Sequence, residues 1–292
     1  MGNSHKQQTD AATNTIVPLV GFIRADGGCP YYRGGEGFSE PTLLALLALH
    51  VAGVSKQETE PLLAWILAAR NGDGSIGLSP EHRTQGTWLT AQLAVVLHHY
   101  GASAPLEQAV NWLLRTRSAA VAQDPNVAHD NRLIGWPWVR GTFGWAEPTA
   151  WVLIALNLLG LAEHPRAVEG RKLLLDRQIP AGGWNYGNRE VRGRELLPFG
   201  DTTALALIAL HGHVPEEAVS ASLEFLKRTA EIVESPYDLV WAIIGVEIYG
   251  IDVSRAKDRL AAVIDAIPSD EANCIHLAMA VIALSGKKVF IP

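Results

Sequence analysis

The chain has 292 residues, of which 48% are hydrophobic and 18% charged, and its net charge is −6. Proteins that bind nucleic acid through phosphate contacts carry a basic footprint, so this charge balance argues against DNA or RNA as a partner. The longest apolar runs have about ten to twelve residues, whereas a membrane-spanning helix needs roughly 20. The composition is typical of a helical protein whose inner layer is buried on all sides.

Residues 1–14 are polar, lack the apolar stretch of a secretory leader and are predicted to form a flexible N-terminal tail. Residues 15–292 are predicted to form one domain, because the same repeat runs through both halves of the chain. Cys29 and Cys274 stand near opposite ends of the sequence. This usage is typical of a reducing compartment, so we expect a cytoplasmic protein.

Two kinds of helical segment alternate along the rest of the chain. Apolar runs open at Glu40, Trp88, Glu147, Asp201, Tyr237 and Asn273. Amphipathic segments cover residues 61–70, 106–117, 167–178, 216–230 and 254–267, with a shorter first one at 15–24. The apolar runs close on glycines, which is typical of a left-handed helix C-cap. Each unit is a helix pair that cannot bury its own core, so the units must pack on one another.

An apolar helix must be covered all round, whereas an amphipathic helix needs one wet face. Both demands are met by an inner ring of apolar helices inside an outer ring, so the sequence predicts an all-α (α/α)₆ toroid of six helix-pair repeats. The inner helices would be parallel, with their N-termini on one rim. Four long loops, at 25–39, 71–87, 118–146 and 181–200, lead to that rim. Long loops in compact domains usually carry function, so we expect the site there.

The loop after the third complete pair carries a recognisable motif. Gln178 is followed by Gly182, Gly183 and Trp184, and this spacing resembles the QW repeat of the prenyltransferase and squalene-cyclase family. The stretches ADGGCPYY at 25–32 and RNGDGSIG at 70–77 are similar to degraded copies. The resemblance implies a toroid whose central cavity holds isoprenoid chains. We expect Gln178 to satisfy N–H groups at the next helix start and Trp184 to pack over that end.

Cyclases of this family protonate an alkene or epoxide with an aspartic acid in a D-x-D-D-T-A motif. The matching stretch here is Gly200-Asp201-Thr202-Thr203-Ala204, so the resemblance implies Asp201 as the general acid. Glu147 stands at the same repeat position and is the second catalytic candidate. Glu40 shares that position, which favours one structural rule for all three acids. A different interpretation stays open, because an acidic residue in the first turn also stabilises the helix dipole.

Aromatic and basic residues gather in the loops before the third and fourth apolar runs. The predicted substrate-binding residues are Trp136, Trp138, Arg140, Phe143, Trp145, Trp184 and Tyr186. Aromatic rings can line a hydrophobic mouth or stabilise a carbocation, and arginines near helix N-termini attract an anionic head such as a diphosphate. Packing of the long loops on themselves is the alternative.

No metal site or cofactor is predicted. Protein prenyltransferases of this family bind zinc through Asp, Cys and His, and Asp270, Cys274 and His276 are the nearest equivalents. Cys274 and His276 stand two apart on a helix and therefore point in different directions. A buried thiol and a hydrogen-bonded imidazole explain both residues.

The leading hypothesis is a terpene-cyclase-like protein that binds or cyclises an isoprenoid in a central apolar cavity; as an enzyme it would be an isomerase or lyase. Three alternatives stay open: a non-catalytic scaffold or lipid carrier, a protein-prenyltransferase-like barrel, and a carbohydrate-active (α/α)₆ barrel that uses Glu147 and Asp201 as paired acids. The expected partner is an isoprenoid or another hydrophobic small molecule. Peripheral membrane contact and a partner subunit are further alternatives.

Overall fold

A computed structural model describes residues 15–83, 85–124 and 127–292, and the predicted tail at 1–14 lies outside them. The inner helices are α2 (Ser39–Ala52), α4 (Leu89–Tyr100), α6 (Ala146–Leu158), α8 (Gly200–Leu210), α10 (Pro236–Glu247) and α12 (Cys274–Ser285). The outer helices are α1 (15–20 in the described part), α3 (Lys56–Ala68), α5 (Ser103–Arg115), α7 (Pro165–Arg177), α9 (Ser220–Ile232) and α11 (Ser254–Ala266). A 3₁₀ turn at Glu216–Ala218 precedes α9.

The inner helices form a closed ring. Each packs against the next in sequence order, and α12 packs against α2 to close the circle. Outer helices α3, α5, α7, α9 and α11 each pack against inner helices. The predicted (α/α)₆ toroid is confirmed.

Sequence chemistry explains both helix types. Nearly every residue of the inner helix α2 is buried, whereas α5 buries Ala109 and Leu113 on one face only. Several inner helices end where predicted, on glycines such as Gly53 and Gly286 with φ near +79° and +64°. Glycine adopts this left-handed conformation without steric cost.

A threonine in the first turn of four inner helices fixes the loop that leads into it. Each hydroxyl accepts the main-chain N–H of a residue in the preceding glycine-rich loop. The pairs are Thr42 with Cys29 (2.8 Å), Thr90 with Ile76 (3.2 Å), Thr149 with Trp136 (3.1 Å) and Thr203 with Trp184 (2.9 Å). The repeated hydrogen bond holds each long loop at the same height on the rim.

Thr203→Val tests this clamp, because valine keeps the shape of threonine and removes its hydroxyl. The buried N–H of Trp184 is then left without an acceptor, which costs about 1–3 kcal/mol of unfolding free energy. Chemical denaturation measures the loss. Thr229→Val is the matched control, since that hydroxyl donates only to a carbonyl of its own helix at 3.0 Å. A loss in the control as large as that in Thr203→Val would contradict the assignment.

The QW-like motif connects neighbouring outer helices. The Gln178 amide donates to the Ser222 hydroxyl of α9 at 2.8 Å, and the N–H of Gly183 donates to the same oxygen at 2.7 Å. Gly182 has φ +106°, and a Cβ there would lie 2.5 Å from the carbonyl oxygen of Ala221. The expectation that Gln178 satisfies main-chain N–H groups is therefore wrong: its partner is a side-chain hydroxyl, because Ser222 lies within reach at the start of α9.

Aromatic side chains fill the ring below its mouth. Trp151 on α6 and Trp241 on α10 come from helices separated by α8, yet their ring centroids are 5.8 Å apart. Phe290 enters from the opposite end of the toroid and lies 5.6 Å from Trp151 and 6.1 Å from Trp241. All three are at most 2% exposed. Together they form an aromatic floor across the inside of the ring.

One strand pair was not predicted. β1 (Glu190–Val191) and β2 (Arg194–Glu195) form a short antiparallel hairpin in the loop before α8. Its turn residues Arg192 and Gly193 have φ +53° and +75°, as a tight hairpin turn requires. Among the described residues, no helix combines the length and apolarity needed to cross a membrane.

Candidate active site at the mouth of the toroid

The starts of the inner helices place one equivalent side chain each around the mouth. In ring order these residues are Glu40, Trp88, Glu147, Asp201, Tyr237 and Asn273. Three of them are carboxylic acids, so the parallel arrangement of the inner helices concentrates acids in one partly buried place. We call this group of three, Glu40, Glu147 and Asp201, the mouth acids.

Glu147 is buried beside two other carboxylic acids. Burial raises its pKa to about 8, and the neighbouring carboxylates of Asp201 and Glu40 add to the rise. Its carboxyl group forms no hydrogen bond or ion pair with any other described residue. Glu147 is therefore a protonated carboxylic acid at neutral pH that is free to donate to a ligand.

Asp201 lies on the next inner helix, α8. Burial raises its pKa, but its carboxylate accepts hydrogen bonds from the Thr202 N–H at 2.7 Å and the Thr202 hydroxyl at 3.3 Å, which favour the charged form. The carboxylate of Asp238 contributes a smaller upward shift. Glu147 and Asp201 thus differ in how their surroundings support a negative charge.

Glu40 differs from Glu147 because its carboxylate already has a hydrogen-bond partner within the protein. The Tyr31 hydroxyl donates to its carboxylate at 2.7 Å. Burial raises the Glu40 pKa, while hydrogen bonds from Tyr31 and Gln92 oppose the rise. This arrangement makes Glu40 a fixed member of the site that modulates Glu147 by its charge.

Tyr237 is a site residue that sequence reasoning missed. Burial raises the pKa of its hydroxyl, and the nearby carboxylates of Asp201, Glu147 and Glu40 raise it further. Its ring lies 5.7 Å from that of His276. The signal was present, since Tyr237 opens the fifth apolar run at the position that carries acids in other repeats.

Tyr186 and Phe199 flank the mouth acids on the loop before α8. Their ring centroids are 4.8 Å apart, and they are 48% and 42% exposed. Burial and the charges of Asp201 and Glu147 raise the pKa of the Tyr186 hydroxyl, which places it beside those acids. The predicted position of Tyr186 at the mouth fits this arrangement.

Two of the predicted substrate-binding tryptophans lie inside the loops. Trp136 and Trp184 are 2% and 0% exposed, and each indole N–H donates to a main-chain carbonyl, of Leu113 at 2.8 Å and of Leu174 at 2.7 Å. Enclosed in this way, both rings hold the loops on the outer helices and present no surface to the mouth.

The other predicted contacts divide between two cavities on the rim. Trp145 and Phe143 line a cavity of about 250 Å³ together with His129 and Arg177. Trp138 and Arg140 line a second cavity, of about 410 Å³, which also includes Trp88. The structure therefore does not bring all the predicted aromatics to one place.

Most rim arginines are held by the protein itself. Arg33 donates to the carbonyls of Ser269, Gly21 and Pro18, and Arg189 donates to those of Asp176 and Ala128. They stabilise loops and leave little charge free for a ligand. Arg140 has no such partner among the described residues.

Cys274 and His276, which were considered for zinc, have different neighbours. Cys29 and Cys274 are free, buried and in contact, and the Cys29 thiol is the main cause of the raised pKa of Cys274. His276 instead faces Tyr237. In the described part of the chain no group of three His, Cys, Asp or Glu side chains is arranged to hold a metal ion.

Comparison with known proteins supports the fold and leaves the substrate open. The sequence matches no family model and no curated protein. Among solved structures, the chain is similar to an α-1,6-mannanase from Salegentibacter (TM-score 0.67, 11% identity, covering 96% of this chain and 98% of that one). It is also similar to an α-amylase from Clostridium perfringens (TM-score 0.66, 12% identity, covering 96% of this chain and 97% of that one). A third similar structure is a type II terpene cyclase from Scytonema in complex with geranylgeranyl dihydroxybenzoate. Its TM-score is 0.62 at 15% identity, and the match covers 96% of this chain and 98% of that one. At these identities the matches show the (α/α)₆ toroid alone.

Proposed function

We propose that this protein cleaves glycosidic bonds at the mouth of the toroid, with Glu147 as proton donor and Asp201 as its carboxylate partner. The observation that carries the proposal is the Glu147–Asp201 pair on adjacent inner helices. Burial raises the pKa of both carboxyl groups, but Thr202 donates hydrogen bonds to Asp201 that favour its anion. Environments that drive two carboxyl groups apart in pKa are how glycosidases assign acid and base.

In this mechanism the Glu147 carboxyl donates its proton to the glycosidic oxygen as the C–O bond breaks. Asp201 then either takes a proton from the water that attacks the anomeric carbon or attacks that carbon itself. Tyr237, whose hydroxyl has its pKa raised by burial and by both acids, is a neutral donor for a sugar hydroxyl. The anomeric configuration of the first product, read by NMR, separates the two routes.

The shape of the mouth supports a sugar. Trp151 follows Glu147 by four residues on the same helix face, about 6 Å deeper, and belongs to the buried aromatic floor. The three rings of the floor contact one another inside the ring below Glu147. The exposed rings of Tyr186 and Phe199 offer flat apolar surfaces beside the acids.

The test is an assay of the purified protein on a panel of α- and β-linked oligosaccharides, with Asp201→Asn as the variant. We expect hydrolysis of at least one oligosaccharide and a loss of about 10²–10⁴-fold in the variant. Glu195→Gln, at an exposed carboxyl on strand β2, is the control and should retain full activity. Hydrolysis that is absent, or that is unchanged in Asp201→Asn, would overturn the proposal.

Isoprenoid cyclisation is the second candidate, favoured by one specific observation. Asp201, Thr203 and Ala204 match the end of the cyclase acid motif, and Asp201 opens a helix directly beside two exposed aromatic rings. The same two proteins, incubated with linear polyprenyl substrates, distinguish the candidates. Cyclic product that disappears in Asp201→Asn assigns the acid to isoprenoid chemistry. Bound lipid without turnover supports a carrier instead.

A further inference from the structure

The cavity of about 410 Å³ beside the mouth combines three indole rings with three arginines. Its aromatic residues are Trp88, Trp112 and Trp138, and its arginines are Arg115, Arg117 and Arg140. The volume lies within the roughly 300–1,000 Å³ of small-molecule sites. We call it the Trp–Arg cavity.

The indole rings are held in place by other parts of the protein. Trp88 and Trp138 meet edge to face, with ring centroids 4.9 Å apart and planes at 70°. The Trp112 N–H donates to the Asp73 carboxylate at 3.1 Å, and Asp73 also accepts hydrogen bonds from the Ser75 N–H at 3.0 Å and hydroxyl at 2.6 Å. These contacts preorganise flat apolar walls and occupy the carboxylate that lines the cavity.

The arginines of the cavity have unused donors. Arg115, Arg117 and Arg140 form no hydrogen bond or ion pair with other described residues, in contrast to Arg33 and Arg189 of the same rim. A guanidinium group binds carboxylate, sulfate or phosphate through paired N–H donors. Three such groups at one cavity, in a chain of net charge −6, select an anionic ligand.

The position of the cavity relates it to the mouth acids. Trp88 immediately precedes α4, which lies in the ring between α2, the helix of Glu40, and α6, the helix of Glu147. Trp88 also occupies the mouth position of its own repeat. A ligand on the walls of this cavity therefore lies next to the mouth, on the side from which a chain can extend to Glu147.

We propose that the Trp–Arg cavity binds an acidic sugar residue, a uronic acid, of the chain that is cut at the mouth. The indole walls cover the apolar face of the sugar ring, and Arg115, Arg117 and Arg140 bind its carboxylate. This inference rests on the proposed glycosidase function and adds its substrate class, an acidic oligosaccharide.

Calorimetric titration of the full chain tests the inference with uronic-acid tetrasaccharides and their methyl esters. The ester keeps the shape of the sugar and removes the charge. We expect the acid form to bind at least tenfold more tightly than the ester, and this preference to shrink in Arg140→Gln and Arg115→Gln. Trp138→Ala should weaken both forms, and Trp138→Phe should restore part of the affinity. Arg228→Gln, at an exposed arginine of α9 away from the cavity, is the control.

Equal binding of acid and ester, or arginine variants that behave like Arg228→Gln, would overturn the inference, as would binding of an isoprenoid diphosphate in place of the sugars. The same titrations with Glu147→Gln keep the two proposals separate. Acid-selective binding without hydrolysis by the wild-type protein would refute the glycosidase and leave the sugar site. Hydrolysis of neutral oligosaccharides alone would refute the acidic-sugar site and leave the glycosidase.

Discussion

Glu147→Gln should reduce kcat/KM for glycoside cleavage by about 10²–10⁴-fold, because glutamine keeps the size of the side chain and cannot donate the proton. Substrate affinity should change little, since binding depends on the aromatic walls and the neighbouring acids. The wild-type rate should be highest below pH 8 and fall as the pH rises through about 8, where Glu147 loses its proton.

Initial rates between pH 5 and pH 9.5 measure both effects. The residual rate of Glu147→Gln should lack the alkaline decline, whereas Glu195→Gln should follow the wild-type profile. If the wild-type profile is flat through pH 8, or if Glu147→Gln retains more than a tenth of the activity, Glu147 is not the proton donor.

The second large effect of Glu147→Gln is on stability. This substitution should lower activity but stabilise the folded protein at high pH. In the folded protein Glu147 titrates at about 8 and in the unfolded chain near 4.5, so the folded state binds the extra proton between these pH values. This carboxyl makes its full contribution to the unfolding free energy below pH 4.5, and that contribution is lost as the pH rises toward 8. The rise in pKa corresponds to at most about 5 kcal/mol.

Glu147→Gln removes this pH-dependent loss of unfolding free energy, because glutamine does not ionise. We expect the variant to be more stable than the wild type at pH 8 by about 2–5 kcal/mol, with a difference that shrinks toward pH 5. Urea unfolding at both pH values measures it, and Glu195→Gln should leave the pH dependence unchanged. A variant less stable than the wild type at pH 8 would show that the Glu147 side chain is held by contacts stronger than its desolvation cost.

The ring was predictable because its determinants are local. The apolar run from Glu40 to Gly53 indicates both that α2 is buried and that the helix ends at Gly53. The same pattern recurs along the chain. Closure follows because such helices must be covered on every side. The hairpin at Glu190–Glu195 was missed because its short strands carry charged residues, and only Gly193 indicates its turn.

The site was predictable only in part. Glu147 and Asp201 were candidates because the repeat aligns them and Asp201 keeps part of the cyclase motif. The same alignment contained Tyr237, whose proximity to acids from three other helices only the fold shows. The sequence does not distinguish loop tryptophans that are buried from loop tryptophans that line a cavity. Whether a ring points inward, as in Trp184, or lines a cavity, as in Trp138, depends on how the threonine clamps set each loop.

Closure of the ring joins the first and last repeats directly. The Cys274 N–H donates to the carbonyl of Tyr31 at 2.9 Å, and Tyr32 forms a bridge with Asn273. During synthesis α2 therefore emerges with an apolar face whose partner, α12, follows the other five inner helices. Because α12 packs between α10 and α2, a chain without α12 exposes an apolar face on each of these two helices and leaves the ring open between Tyr237 and Glu40.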